Sequence, residues 1–166
     1  MSTVTANVTH LPANTGRTFA HLGSSVSFKA EPADNGDAFL LFECRMPAGG
    51  GVPPHTERNF EAFYVLEGTL EIEADGQRYR LGPGDYLGIR SGVLHALHNP
   101  GPDWLRTLML TSPGSQHVRF FERLGEPIDD PTRPPQPSGP LDFAELIAVA
   151  RDCGMEFQPP AEYTSA

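Results

Sequence analysis

Short runs of alternating apolar and polar residues, each ended by glycine or proline, fill the middle of this 166-residue chain. The run 40–46, for example, places its even-numbered apolar residues on one face and Glu43 and Arg45 on the other. Glycine and proline contribute 17 residues each, about a fifth of the chain, and many of them separate such runs. Many short strands joined by Gly/Pro-rich turns are typical of a β-sandwich or β-barrel, so the pattern predicts an all-β fold.

Turn signals place the individual strands. Glu67-Gly68 and Asp75-Gly76 indicate hairpin turns, and the segment 82–85 indicates another. The predicted strands are 26–30, 40–46, 63–66, 70–74, 77–81, 86–89, 93–98 and 105–110.

The pattern changes to helical spacing near the C-terminus. Residues 115–124 carry apolar side chains at helical spacing before Gly125. A second helix is predicted from Asp142, which can cap its start, to Cys153, and Gly154 can take the left-handed position after its end.

The length favours one domain, which we divide into three parts. We expect an N-terminal arm and first strands in 1–37, a barrel core in 38–112, and C-terminal helices with a proline-rich linker in 113–166, packed on the barrel. Residues 1–16 lack periodicity and predict a loose arm. Residues 126–140 contain six prolines and predict a linker over the surface.

Charge and composition exclude several classes of protein. The formal net charge is -9, and an acidic surface repels nucleic-acid phosphates and anionic lipids, so we expect neither as a partner. Residues 1–10 are polar and give no sign of a signal peptide, and no apolar run is long enough to cross a bilayer. Cys44 and Cys153 are far apart and expected to be reduced, which favours a cytoplasmic protein.

Four side chains in two segments are candidate metal ligands. His55 and Glu57 share one face of an extended segment, about 6.6 Å apart along it, and Glu61 follows after a short bend. His95 shares its face with Val93 and Leu97, so it is predicted to point into the core. Imidazole and carboxylate groups together suit divalent transition metals.

Simpler interpretations remain open for the histidines. His95 alone is also compatible with a hydrogen-bonded core residue, because a buried imidazole needs some partner. His98 has the opposite strand parity and is predicted at the surface. His10, His21 and His117 lie in terminal or helical segments, and the sequence assigns them no function.

The two segments resemble the two motifs of the cupin superfamily, Gly-x5-His-x-His-x3–4-Glu-x6-Gly and Gly-x5-Pro-x-Gly-x2-His-x3-Asn. Positions in register are His55, Glu61, Gly68, Gly84, Gly92, His95 and Asn99. The resemblance covers about 38–112. Within the superfamily, the chain is most similar to small single-domain bacterial cupins of the quercetin 2,3-dioxygenase type. It implies a double-stranded β-helix, the jelly-roll barrel, with short C-terminal helices and one divalent transition metal (Mn, Fe, Ni, Co or Zn) near its mouth.

Carried onto this chain, the resemblance implies His55, Glu57, Glu61 and His95 as ligands. Glu57 stands where the family usually has a second histidine. It can be a ligand that favours Mn(II) or Fe(II), swing away to leave two histidines and one carboxylate, or abolish ligation. Arg90 replaces the usual proline of the second motif, which is mainly a change of turn.

By the same resemblance, the protein is expected to be a metal-dependent dioxygenase that cleaves a small aromatic or enol-bearing, flavonol-like substrate with O2. Glu61 would also act on the substrate hydroxyl as the catalytic residue. An apolar pocket is expected from side chains that equally suit core packing: Phe42, Met46, Phe63, Leu97 and Met109.

Two other functions fit the same barrel. One is a non-oxidative, metal-dependent cyclase, isomerase or hydro-lyase. The other is a non-catalytic module that binds a small molecule. A homodimer is expected because cupin barrels often pair through edge strands.

Overall fold

The computed structural model describes residues 3–5, 8–137, 139 and 141–158, and within these ranges it has fourteen strands and three short helices. The strands are β1 Thr3–Thr5, β2 Val8–His10, β3 Thr18–His21, β4 Ser24–Ala30, β5 Leu40–Met46, β6 Gly51–Glu57, β7 Phe60–Glu67, β8 Leu70–Ala74, β9 Gln77–Leu81, β10 Tyr86–Ile89, β11 His95–His98, β12 Leu105–Ser112, β13 Glu126–Pro127 and β14 Met155–Phe157. The helices are α1 Pro32–Asn35, α2 Ser115–Leu124 and α3 Phe143–Asp152.

Two antiparallel sheets form the barrel. The larger sheet has the strand order β10-β7-β12-β5-β4-β3-β13, and the smaller has the order β14-β6-β11-β8-β9. Consecutive strands such as β6 and β7 lie in different sheets, as expected of a jelly roll. The predicted all-β fold is confirmed.

The alternation of the sequence sets which side chains enter the core. On β7, Glu61, Phe63 and Val65 are buried, whereas Phe60 and Tyr64 are exposed. The inward-facing apolar side chains of both sheets join one hydrophobic core, and burying that apolar surface stabilises the barrel.

The two C-terminal helices form where the periodicity predicts them. Oδ1 of Asp142 accepts a hydrogen bond from the backbone N–H of Glu145 at 3.0 Å, which caps α3. Gly154, after the end of α3, has a φ of 79°. None of the helices built from the described residues combines the length and apolar character needed to cross a membrane.

The flanking segments add to the sheets. Residues 1–16, predicted to be a loose arm, instead contain the β1–β2 pair. The sequence shows no sign of this pair because backbone pairing of short polar strands requires no apolar periodicity. The proline-rich segment begins with β13, which pairs with β3, and β14 extends the smaller sheet. Parts of the predicted arm, linker and C-terminal segment, residues 1, 2, 6, 7, 138, 140 and 159–166, lie outside the described residues.

Glycines of the two motifs occupy backbone positions that other residues adopt poorly. Gly68, Gly84 and Gly92 have φ values of 81°, 92° and 82°. A Cβ at Gly68 would also lie 2.8 Å from the carbonyl oxygen of Trp104. The spacing of the glycines in the two motifs therefore follows from the positions of the tight turns between strands.

Candidate metal centre

His55 and His95 stand opposite each other inside the barrel. They are register partners on β6 and β11, and their ring centroids are 4.2 Å apart. Nδ1 of His55 donates to the carbonyl oxygen of Pro53, and Nδ1 of His95 donates to that of Val93, both at 2.9 Å. These bonds orient both rings and leave each Nε2 with a lone pair that can bind a metal.

Glu61 approaches the same place from the larger sheet. Its side chain is buried, and Oε2 lies 2.8 Å from Nε2 of His95. The ligand atoms of His55, Glu61 and His95 all lie within 4.8 Å of one another. Burial alone would raise the pKa of Glu61, but hydrogen bonding to His117 and His95 holds it well below its usual range.

The other histidine pKa values follow from the same environment. Burial, together with the positive charge of His95, lowers the pKa of His55 to about 4. Burial would also lower the pKa of His95, but its hydrogen bond with Glu61 raises it above the ordinary value. The two facing imidazoles therefore differ in basicity, because only one of them touches a carboxylate directly.

Glu57 lies on the same face of β6 as His55 and is only 4% exposed. The backbone N–H of Gly92 donates to its carbonyl oxygen at 2.7 Å, so the turn of the second motif fixes the end of the first. Oε1 of Glu57 has no hydrogen-bond partner among the described residues. Burial raises the pKa of this carboxyl group.

His117, on α2, completes the cluster and was missed by the sequence analysis. Its Nε2 lies 3.1 Å from Oε2 of Glu57 and 3.6 Å from Oε1 of Glu61. Although burial disfavours the charged ring, these carboxylates raise its pKa to about 10. A signal was available, because His117, Phe120 and Phe121 form the buried face of the helix.

The start of α2 is fixed by two contacts that place His117. Oδ1 of Asp37 accepts hydrogen bonds from the backbone N–H groups of Gly114 and Ser115, at 3.2 and 2.9 Å. A Cβ on Gly114 would lie 2.3 Å from the backbone nitrogen of Leu40 on β5. Only a glycine lets the helix begin this close to the barrel wall.

The cluster fits a divalent transition metal by its donors and by its unsatisfied atoms. Three imidazoles and two carboxylates converge in a buried volume. Buried polar atoms are normally hydrogen-bonded, yet Oε1 of Glu57 and Oγ1 of Thr111, the register partner of Glu61, have no such partner among the described residues. The structure thus brings three of the sequence-predicted ligands, His55, Glu61 and His95, into one group and places the fourth, Glu57, in a second group with Glu61 and His117.

The five residues predicted to line an apolar pocket are all buried in the core: Phe42, Met46, Phe63, Leu97 and Met109. Met109 is the register partner of both Phe42 and Phe63, and this row lies one inward-facing step below Glu61. Leu97 lies one step below His95 on β11. Met46 is farther away, about 13 Å along β5 from Phe42 at roughly 3.3 Å per residue.

A cavity of about 330 Å³ lies beside the cluster, between β10 and the smaller sheet. Its lining includes Ala74, the register partner of His95, and Ile89, the register partner of Glu61. Tyr79 and Arg90 also line it. The cavity borders strands that neighbour the cluster, but none of the five cluster side chains lines it.

Of the remaining residues considered from sequence, His98 is exposed, as predicted. His21 packs against the rings of Phe120 and Phe121, outside the cluster. Cys44 and Cys153 are both free and buried, as expected for reduced thiols.

Comparison with known proteins identifies the class. Residues 42–111 match the family model for the cupin domain. The chain is 17% identical to an RmlC-like cupin from Shewanella frigidimarina, with a TM-score of 0.57 over 66% of this chain and 93% of that one. Residues 42–111 thus form a cupin domain, and the fold of the barrel agrees with that assignment.

Two curated relatives are more similar in sequence. The chain is 30% identical over 136 residues to quercetin 2,3-dioxygenase of Bacillus subtilis, covering 80% of this chain and 40% of the relative. It is 34% identical over 73 residues to L-ectoine synthase of Bordetella petrii, covering 43% of this chain and 49% of the relative. The chain therefore spans less than half the length of either relative.

Proposed function

We propose that this protein is a metal-dependent dioxygenase that cleaves a small aromatic or enol-bearing substrate. The observation that carries the proposal is the set formed by His55, Glu61 and His95, two imidazoles and one carboxylate from facing sheets. Such a set leaves coordination positions open for substrate and O2. The similarity to quercetin 2,3-dioxygenase over most of this chain supports the oxidative reaction.

The two histidines of this set would hold the metal ion. His55 and His95 would hold the ion through Nε2, because their Nδ1 atoms are committed to backbone carbonyl groups. A bound redox-active divalent ion supplies a Lewis-acidic position for an enolate or phenolate oxygen and the electron transfer that O2 requires.

Glu61 would be both ligand and catalytic residue. Its pKa lies well below the usual range, so it is ionised at neutral pH and can accept a hydrogen bond from a substrate hydroxyl group; full transfer of the proton to Glu61 would need substrate binding to raise that pKa. The other carboxylate, Glu57, lies on the same side of the barrel and adds negative charge that suits Mn(II) or Fe(II).

The apolar row below the cluster would receive the substrate ring. Phe42, Phe63 and Met109 lie in the core one inward-facing step from Glu61, and Leu97 lies one step from His95, so they would have to move apart to admit a ring. These side chains would exclude water from the reacting oxygen atoms and orient a flat substrate. Met46 is too far along β5 to touch the same molecule.

The test is oxygen uptake with quercetin as the probe, after chelator treatment and reconstitution with Mn(II), Fe(II), Co(II), Ni(II) or Zn(II) in turn. We expect O2 consumption coupled to loss of the flavonol absorbance with at least one redox-active ion. His98→Ala, at an exposed position of β11, should keep this activity, and Glu61→Gln should lose it. Product formation that continues without O2 would eliminate the oxygenase.

A non-oxidative lyase or cyclase is the second candidate, and the similarity to L-ectoine synthase favours it. The same cluster could polarise a carbonyl group while Glu61 moves a proton, with no change of redox state. This function requires activity with Zn(II) in the absence of O2. A reaction supported only by redox-active ions and only in air would exclude it.

A further inference from the structure

We propose that Glu57, Glu61 and His117 form a second metal position, which shares the Glu61 carboxylate with the position formed by His55, Glu61 and His95. The barrel would then hold two ions rather than the single ion implied by the family motifs. This inference rests on the proposed metal-dependent function and extends it to a dinuclear centre.

The ligand atoms divide into two sets in the described residues. His55, Glu61 and His95 lie mutually within 4.8 Å, and so do Glu57, Glu61 and His117, but the two sets do not merge into one. Ligands around one transition-metal ion, with bonds of about 2.0–2.2 Å, can be no more than about 4.4 Å apart. The spread of the five groups therefore suits two ions better than one.

Glu61 is oriented as a bridge between the two sets. Its Oε2 faces Nε2 of His95 at 2.8 Å, and its Oε1 faces Nε2 of His117 at 3.6 Å. Each oxygen of the carboxylate thus points toward a different imidazole. A carboxylate with one oxygen on each ion is compatible with the separation of about 3.5–4 Å found in two-metal sites.

Glu57 supplies the independent sign of a ligand. It is 4% exposed, its Oε2 is paired with Nε2 of His117 at 3.1 Å, and its Oε1 has no hydrogen-bond partner among the described residues. A buried carboxylate is stable only when it is paired and hydrogen-bonded or coordinates a metal. A second ion between Glu57 and His117 would satisfy both groups.

The charges of such a centre favour an anionic substrate. Two divalent ions against two carboxylates leave a net charge of about +2 by formal counting. An enolate or phenolate together with a hydroxide ion would neutralise that charge. The ligand class is therefore a deprotonated enol or catechol-like oxygen that can span two ions.

Helix α2 makes the second position a property of this chain rather than of the barrel. His117 lies beyond the matched cupin segment 42–111. The hydrogen bonds of Asp37 and the close approach of Gly114 to Leu40 hold the first turn of the helix against the barrel. The ring of His117 is also stacked on Phe42, with centroids 6.5 Å apart.

The experiment counts Mn(II) ions bound per chain after chelator treatment and records the electron paramagnetic resonance spectrum of the loaded protein. We expect two ions and an exchange-coupled spectrum for the native chain. His117→Ala should bind one ion and give the six-line spectrum of isolated Mn(II), whereas the control His98→Ala should keep two coupled ions. If His117→Ala does not fold, Glu57→Gln is the second variant. It keeps the size of the side chain and should also bind one ion and give the six-line spectrum.

The outcomes separate this inference from the proposed function. One uncoupled ion in the native chain overturns the second position, whatever the variants do. If that single ion is lost in His95→Ala, the mononuclear dioxygenase proposal still stands. If the native chain binds neither Mn(II) nor any of the other divalent ions, both the second metal position and the metal-dependent dioxygenase are overturned.

Discussion

Nε2 of His117 lies 3.1 Å from Oε2 of Glu57, a contact that joins helix α2 to strand β6 inside the barrel. Each residue departs from what the motifs alone would suggest. Glu57 replaces the usual second histidine of the first motif, and His117 brings an imidazole back from outside both motifs. The candidate metal ligands of this chain are thus divided between the barrel and a helix that follows it.

Replacing His95 should remove the ion held by the motif residues. We expect His95→Ala to lower metal affinity at least tenfold, because the ring supplies a ligand and its Nδ1–H bond to Val93 fixes its direction. Titration with Mn(II) followed by elemental analysis measures the loss. His98→Ala changes an exposed histidine of the same strand and should bind metal as the native chain does; equal affinity in both variants would remove His95 from the site.

Replacing Glu57 with histidine should change which metal is preferred. Glu57→His exchanges a hard oxygen donor for an imidazole, so we expect preference to move from Mn(II) toward Co(II), Ni(II) or Zn(II). Competition binding with pairs of ions gives the preference directly. Glu57→Gln removes the charge without offering an imidazole and should weaken binding without this shift. If neither variant alters affinity or preference, Glu57 is not a ligand.

Asn99 should matter for stability rather than for chemistry. Its side-chain N–H groups donate to the carbonyl oxygens of Met46, Pro47 and Asp103 at 2.9–3.1 Å, and the residue is completely buried. Asn99→Ala should therefore cost about 2–3 kcal/mol, because buried carbonyl groups lose their donor. Urea unfolding measures the change, and Gln77→Ala, at an exposed position of β9, should change stability by less than about 0.5 kcal/mol.

His21 should make the protein less stable in mild acid. Burial lowers its pKa from 6.5 to about 4, so the unfolded chain binds more protons than the folded chain between these values. Stability contributed by the neutral ring is therefore present above pH 6.5 and lost as the pH falls toward 4. The loss should be on the order of 2 kcal/mol.

The matched variant for this prediction is His21→Phe, which keeps a ring against Phe120 and Phe121. Urea unfolding of the metal-free protein at a series of pH values should show a shallower acid dependence for His21→Phe than for the native chain. His98→Gln, at an exposed position, should follow the native curve. Identical slopes for the native chain and His21→Phe would contradict the lowered pKa assigned to His21.

The sequence by itself predicted most of the barrel strands, several of their turns, the shared face of His55 and Glu57 and the inward direction of His95. These features are local: alternation decides which side chains face inward, and glycines at positive φ, such as Gly68 and Gly92, decide where the strands turn. The same periodicity predicted both C-terminal helices and the cap at Asp142. It missed the short strands β1, β2, β3, β13 and β14, because two to four residues are too few to show a clear alternation.

Only the tertiary structure decided which of these groups meet. Register across β6 and β11 places His55 opposite His95, the facing of the two sheets brings Glu61 between them, and docking of α2 adds His117. The helical spacing of residues 115–124 could have placed His117 on the apolar face with Phe120 and Phe121, but it could not show which wall that face would cover. Convergence depends on contacts between residues far apart in the chain, and these are fixed by packing and strand register rather than by any local pattern.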